Sequence, residues 1–318
     1  MIFINIKRTD NCKLDKYCWT KVKECGNVIE MVSMKCYSED NCHCIKINSD
    51  FYYDNRTGEV KEYIKSENKS ECVQSVRRTL ERVRNIINCN VLEPKNCKFV
   101  TLTYAENMTD TEKLYVDMDK FWKKMLRWFR KNNIETPEYI NIIEPQGRGA
   151  WHSHCIWIWS DAAPFVANSV VAEKWGQGFT STKKVVSCDN VGAYFSAYLA
   201  DMPLEEFEKL SDEERSRIAD CSERTIEKQI DDDGKKLNKR FVKGARLYMY
   251  PSNMNILRTS RGIKRPVETV TTLGKAEKKV SAATETFSIS YEIVDDNDKV
   301  INKIVKKYYN TKRKKSQE

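Results

Sequence analysis

Histidine is scarce in this chain, with only three among 318 residues. A phosphate-binding glycine loop and internal repeats are also missing, which argues against a fused helicase and against a repeat architecture. The sequence shows neither a signal peptide nor a long apolar run, so we expect a cytoplasmic protein that does not contact a membrane.

Cysteine, in contrast, is abundant, with twelve in the chain. Half of them precede residue 45, with one histidine among them: Cys12, Cys18, Cys25, Cys36, Cys42, His43 and Cys44. The spacing lacks a pair of Cys-x-x-Cys elements, so it favours reduced structural thiols, and a small Zn²⁺ site stays the alternative.

The chain carries a net charge of +9, which suits a partner with a phosphate backbone. Aromatic and basic residues alternate in Phe121–Lys124 and again in Arg127–Arg130, a mixture that can stack on and neutralise single-stranded nucleic acid. Apolar residues also recur here at helical spacing, after a capping box from Thr109 to Glu112. Core packing is therefore the favoured role of the aromatics, and the cations stay available to a ligand.

The pattern of predicted elements divides the chain into three parts. Residues 1–70 form a cysteine-rich N-terminal region, and residues 71–266 alternate helix with strand. The second part predicts an α+β fold with a central antiparallel sheet backed by helices, and a charged helical insertion at 203–233. Residues 267–318 comprise a polar linker, a hairpin and a basic tail.

Two of the three histidines, His152 and His154, begin the β-prone run Trp151–Trp159. Residues two apart in a strand point to the same face, so the two imidazoles converge. Convergent imidazoles are typical of a divalent metal site. The alternative is that the histidines simply pack within the sheet.

A third ligand is available in Glu144, which ends a predicted strand just before Pro145 and a glycine-containing turn. A hairpin through that turn would bring the carboxylate beside the histidines. Two imidazoles and one carboxylate with open positions suit Mg²⁺ or Mn²⁺ better than a closed structural Zn²⁺ site. The alternative for Glu144 is a carboxylate facing solvent.

A candidate nucleophile lies downstream, where Asp189 and Asn190 offer N-cap residues for a predicted helix. Tyr194 and Tyr198 are four apart and therefore share one face of that helix. Tyrosine is a poor nucleophile at its usual pKa near 10 and needs activation. Packing in the core is the alternative role for both.

Three motifs occur in a fixed order: the strand Phe99–Tyr104, the His-x-His strand, and the Tyr-x-x-x-Tyr helix. In this order the chain resembles the HUH endonucleases, and among them the replication initiators of small single-stranded-DNA phages and rolling-circle plasmids. The similarity spans roughly residues 72–266. It also includes three basic segments: Ser75–Arg78, Arg246–Tyr248 and Arg258–Lys264.

The resemblance implies an enzyme that nicks single-stranded DNA at an origin through a 5′-phosphotyrosyl intermediate and later rejoins the strand. It implies that His152 and His154 bind the metal and that Tyr194 and Tyr198 are the nucleophile pair. The implied partners are single-stranded or hairpin origin DNA and the replication helicase and polymerase of a bacterial host, in its cytoplasm. Seven basic residues are candidate DNA contacts: Arg77, Arg78, Lys123, Lys124, Arg148, Arg261 and Lys264.

The chain departs from this family at the positions three residues after each tyrosine. Phage initiators with paired tyrosines often carry lysine there, whereas this chain has Ala197 and Asp201. A non-catalytic protein that binds an origin therefore stays an alternative. A transposase or a relaxase built on the same fold is another.

Overall fold

The computed structural model describes most of the chain. The described residues are 5–10, 12–37, 44–48, 50–55, 57–63, 73–185, 201–216, 225–232, 235–242, 245–251, 254–295 and 297–313.

The strands, in chain order, are β1 Asn5–Thr9, β2 Trp19–Cys25, β3 Val28–Met34, β4 Cys44–Lys46, β5 Phe51–Asp54, β6 Glu59–Glu62, β7 Cys97–Thr103, β8 Glu138–Pro145, β9 Trp151–Ile158, β10 Thr180–Lys184, β11 Met202–Pro203, β12 Thr225–Asp232, β13 Lys235–Val242, β14 Leu257–Thr259, β15 Val267–Thr272, β16 Thr284–Val294 and β17 Val300–Asn310. The α-helices are α1 Val73–Asn90, α2 Thr111–Lys131, α3 Asn168–Trp175, α4 Leu204–Phe207, α5 Asp212–Ser216 and α6 Leu273–Lys279. Single 3₁₀ turns lie at Pro94–Asn96 and Leu247–Met249.

The chain divides into two compact units, of which the first combines Met1–Lys65 with Arg265–Glu318. Its main sheet has six antiparallel strands in the order β1-β16-β17-β3-β2-β15. Strands from the cysteine-rich region and from the C-terminal segment therefore share one sheet. Its small core joins residues of β2, β3 and β17 to residues of α6 and its C-terminal end: Val22, Ile29, Met31, Ala276, Val280, Ala283 and Tyr309.

The second unit, Ser66–Lys264, contains a five-stranded antiparallel sheet in the order β10-β7-β9-β8-β14. The strand with the paired histidines, β9, is central in this sheet, as the sequence predicts. The predicted α+β class, with antiparallel sheets backed by helices, is confirmed. Within the described residues, no helix is both long enough and apolar enough to cross a membrane.

Helix α2 covers the face of this sheet that lies opposite the histidines. Its predicted apolar stripe is buried, and Phe121 and Phe129 both pack against Trp157 of β9. Trp157 alternates with His154 along the strand, so the two side chains point to opposite faces. The N-cap of α2 is Asp110, whose carboxylate accepts from two backbone amides, so the capping box predicted from Thr109 is wrong by one residue.

The helical insertion predicted at 203–233 is wrong for its second half. Helices α4 and α5 are short, and β12 then pairs with β13, with Asp232 opposite Lys235. Ile226 and Ile230 are four residues apart, a spacing that fits one face of a helix and equally one face of a strand. The informative signal is Asp233-Gly234, a dipeptide favoured in two-residue hairpin turns.

Burial of Phe121 predicts the stability of the second unit. The side chain is 1% exposed, so Phe121→Ala should lower the free energy of unfolding by about 3–5 kcal/mol. Val116→Ala on the same helix is the control, because Val116 is 50% exposed and its truncation should cost little. Urea unfolding followed by tryptophan fluorescence measures both, and equal losses would contradict the packing described here.

Candidate metal centre

The candidate site lies at the end of the β8–β9 hairpin. The connecting turn is closed by backbone hydrogen bonds from Gln146 N to Ala150 O and from Gly149 N to Gln146 O, each 2.8 Å. Gly149 has a φ of +87°, a conformation that favours glycine. The resulting register places Glu144 directly opposite His152, as the sequence predicts.

The Glu144 carboxylate contacts the second histidine. Glu144 Oε1 lies 2.9 Å from His154 Nε2, and His154 Nδ1 lies 3.3 Å from Thr101 Oγ1 on β7. The ring of Phe99 stacks on the His154 imidazole, with centroids 5.4 Å apart. Both edges and one face of this imidazole are therefore held by neighbours, which fixes its orientation.

His152 lacks such partners. Its Nε2 is buried and has no hydrogen-bond partner among the described residues. The two imidazole centroids are 5.8 Å apart, and the ligand atoms of Glu144, His152 and His154 all lie within 4.8 Å of one another. A buried imidazole nitrogen without a partner, next to a carboxylate and a second imidazole, fits the donor set of a divalent metal site.

Electrostatics keep these side chains in the protonation states that bind a metal. Burial, followed by the charges of His154 and of nearby arginines, lowers the pKa of His152 to about 4. Burial opposes ionisation of Glu144, but the two histidines and Arg246 together hold the pKa of its carboxyl below the usual value. At neutral pH the site therefore offers a neutral imidazole and a carboxylate.

No second group of this kind converges elsewhere in the described part of the chain. Five of the N-terminal cysteines are described, and each is a free thiol: Cys12, Cys18, Cys25, Cys36 and Cys44. Cys42 and His43 lie outside the described residues, so a Zn²⁺ site in this region stays a prediction.

Both predicted nucleophiles, Tyr194 and Tyr198, also lie outside the described residues. Of the predicted DNA contacts, Arg148 is the one in the turn of the β8–β9 hairpin. Its guanidinium donates to the backbone oxygens of Tyr104 and Ala105, and its charge acts on His152.

The other predicted DNA contacts are spread over the second unit. Lys123 and Lys124 are exposed on α2, the helix that packs on the sheet face opposite the histidines. Arg261 and Lys264 are exposed beyond the Glu138 end of β8, roughly 20 Å along that strand from Glu144. Arg78 is exposed on α1, and the side chain of Arg77 lies outside the description.

Two residues near the site have no local sequence signal that marks them. Arg246 carries a charge that acts on both Glu144 and His152. The hydroxyl of Tyr250 donates to Ile143 O at 3.3 Å. Burial, with the nearby Glu144 carboxylate, raises the pKa of Tyr250 well above its usual value, so this tyrosine stays protonated.

Residues 97–203 match the model of a family of replication-associated proteins, the ORF2 type. The chain carries a replication-associated domain of this family. The match confirms the resemblance to rolling-circle replication initiators, and its span contains Glu144, both histidines and both tyrosines. No curated protein and no solved structure gives a significant match to the chain.

The lowered pKa of His152 predicts how the metal-free protein responds to acid. An unfolded histidine takes up a proton near pH 6.5, whereas folded His152 does so only near pH 4. The unfolded state therefore binds the extra proton between these values, and stability falls as the pH falls through this window. His152→Gln removes this contribution.

Thermal unfolding in EDTA at pH 7 and pH 4.5 measures the effect. We expect the Tm of the unmodified protein to fall further than that of His152→Gln, with no difference in slope between pH 7 and 8. Equal falls in both proteins between pH 7 and 4.5 would show that His152 does not titrate in this way.

Proposed function

We propose that this protein initiates rolling-circle DNA replication by nicking and joining single-stranded DNA. The observation that carries the proposal is the convergence of Glu144, His152 and His154 on the central strands of a domain from a replication-associated protein family. The family match supports replication initiation, and the three side chains provide a site for the chemistry.

The three side chains are the metal ligands in this proposal, with Mg²⁺ or Mn²⁺ favoured by a mixed carboxylate and imidazole set that leaves positions open. A divalent ion bound there polarises a phosphoryl oxygen and stabilises the charge that develops on the phosphate. Thr101 and Phe99 hold the His154 ring, and the β8–β9 register holds Glu144 opposite His152. The ligands are thus positioned before the substrate arrives.

Tyr198 or Tyr194 supplies the nucleophile. The tyrosine oxygen bonds to the scissile phosphorus and loses its proton, and the bond from phosphorus to the 3′ oxygen breaks. The products are a 5′-phosphotyrosyl link and a 3′-hydroxyl that primes synthesis. Attack by a 3′-hydroxyl on this link reverses the step and joins the strand, and a second tyrosine allows cleavage and joining to alternate.

Basic side chains outside the metal centre support a single-stranded DNA partner. Lys124, Arg127, Lys131 and Lys174 line a cleft of about 440 Å³ together with Trp128 and Glu173. Cations beside an aromatic ring suit a single strand, because the phosphates meet the charge and a base can stack on the ring. This cleft is a binding surface in the proposal, separate from the chemistry.

The paired histidines provide the first test. His152→Ala combined with His154→Ala should abolish cleavage of an origin single strand in Mn²⁺ and leave most DNA affinity, which comes from Lys and Arg. Glu144→Gln, which keeps the shape of the side chain and removes its charge, should weaken Mn²⁺ binding by a smaller factor. Isothermal titration with Mn²⁺ and a denaturing gel measure the two effects, and undiminished nicking by the double variant would falsify the metal role.

The tyrosines provide the second test. Tyr194→Phe or Tyr198→Phe alone should leave a first cleavage and impair the second strand transfer, whereas the double change should leave no cleavage. We expect the first adduct on Tyr198, which lies further into the predicted helix and away from its frayed start. The measurement is peptide mapping of the covalent adduct after reaction with origin DNA.

Tyr17→Phe is the matched control, because this tyrosine is 74% exposed and lies in the first unit. An adduct on another residue, or full strand transfer by the double variant, would remove both tyrosines from the mechanism. Binding of the origin without any cleavage by the unmodified protein would favour the non-catalytic alternative.

A further inference from the structure

Arg246 is a buried cation whose hydrogen-bonding capacity is mostly unused. Its side chain is 11% exposed, and Nη2 donates to Glu206 Oε2 at 2.8 Å. Its Nε is buried and has no hydrogen-bond partner within the described ranges. A guanidinium has five N–H donors in a planar fork, and a buried donor that stays unpaired is costly.

The partner of Arg246 is held against the turn of the metal-ligand hairpin. A Cβ placed on Gly147 would lie 2.7 Å from Glu206 Oε2, so a larger residue at Gly147 would displace that carboxylate. Gly147 follows Glu144 by three residues and lies between the strands that carry the metal ligands. The ion pair between Arg246 and Glu206 is therefore anchored beside the metal centre.

Two further contacts place this segment at the site. Tyr250, four residues after Arg246, bonds to Ile143 O, which is adjacent to Glu144 in β8. The charge of Arg246 also helps to lower the pKa of both Glu144 and His152, which requires short distances to both side chains.

The chemistry of this arrangement selects an oxyanion. A planar guanidinium with free N–H groups matches the oxygens of a phosphate, and it keeps its charge at every physiological pH. Glu206 is 42% exposed and bonds to one nitrogen of the fork, so it orients the guanidinium and leaves other donors free. Ala197 and Asp201, three residues after the tyrosines, supply no positive charge.

We propose that Arg246 binds a non-bridging oxygen of the DNA phosphate at the metal centre, and that Glu206 is the positioning residue for its guanidinium. This inference rests on the proposed function for the identity of the phosphate as part of a DNA strand. It assigns to Arg246 the cation that offsets phosphate charge next to Glu144.

The test compares Arg246→Gln and Arg246→Lys with Arg258→Gln as a matched control. Arg258 is also half-buried and paired with a carboxylate, Asp119, but it lies opposite Asn141 and therefore on the other face of the sheet. Binding of a fluorescent 15-nucleotide oligothymidylate is measured by anisotropy in Mn²⁺ over a salt series. The Tyr194→Phe/Tyr198→Phe background keeps the oligonucleotide uncut.

We expect Arg246→Gln to weaken binding about tenfold, as for one charge-assisted hydrogen bond, and to reduce the slope of log affinity against log salt by about 0.7. Arg246→Lys should keep the slope, because it keeps the charge. Arg258→Gln should change neither quantity. An Arg246→Gln protein with an unchanged Tm, affinity and slope overturns the inference.

Cleavage separates this inference from the proposed function. With both tyrosines present, Arg246→Lys should cut an origin single strand at least tenfold more slowly, because lysine lacks the planar fork, and Mn²⁺ affinity should stay unchanged. Glu206→Gln should slow cleavage without altering the salt slope, and the unmodified rate in either variant counts against the role given to that residue. If the unmodified protein cuts no DNA while Arg246→Gln still loses slope, the proposed nicking fails and the phosphate contact stands.

Discussion

The register between β8 and β9 is the constraint on which the candidate site depends. Side chains alternate between faces along a strand, so a slip of one residue would turn both histidines toward α2. The opposite face holds the register. There Trp157 packs against the aromatic rings of α2, and Ser153 Oγ donates to Asn141 Oδ1 at 2.5 Å in the adjacent strand. The core on one face therefore fixes the ligand geometry on the other.

The site trades stability for a place to bind a ligand. A buried polar atom without a partner, such as His152 Nε2, costs about 1–3 kcal/mol relative to a paired one. A ligand that binds only the folded state returns stability in proportion to the logarithm of its concentration over Kd. The neighbours of His154 keep the cost to one imidazole, because Thr101 and Glu144 already satisfy the other.

Local patterns in the sequence predict the elements that carry the site, and contacts between distant segments escape them. The strand spacing of His152 and His154 and the turn after Glu144 are local, so their convergence follows from the sequence alone. Arg246 reaches the site through β13, a strand that the charge pattern hides within an apparent helix. The shared sheet of the first unit joins residues almost three hundred positions apart, as in the pairing of Asn5 with Val294, and no local rule predicts such a pair.

The first unit is discontinuous in sequence, and this has a consequence for synthesis on the ribosome. Strands β1, β2 and β3 each pair with a strand beyond residue 266. The second unit, in contrast, is contiguous from Ser66 to Lys264. The domain with the histidines can therefore fold while the chain is still being made, whereas the N-terminal strands wait for the last segment to emerge. During that interval their unpaired edges are exposed to chaperones, and premature termination would leave a folded metal centre attached to an unfinished sheet.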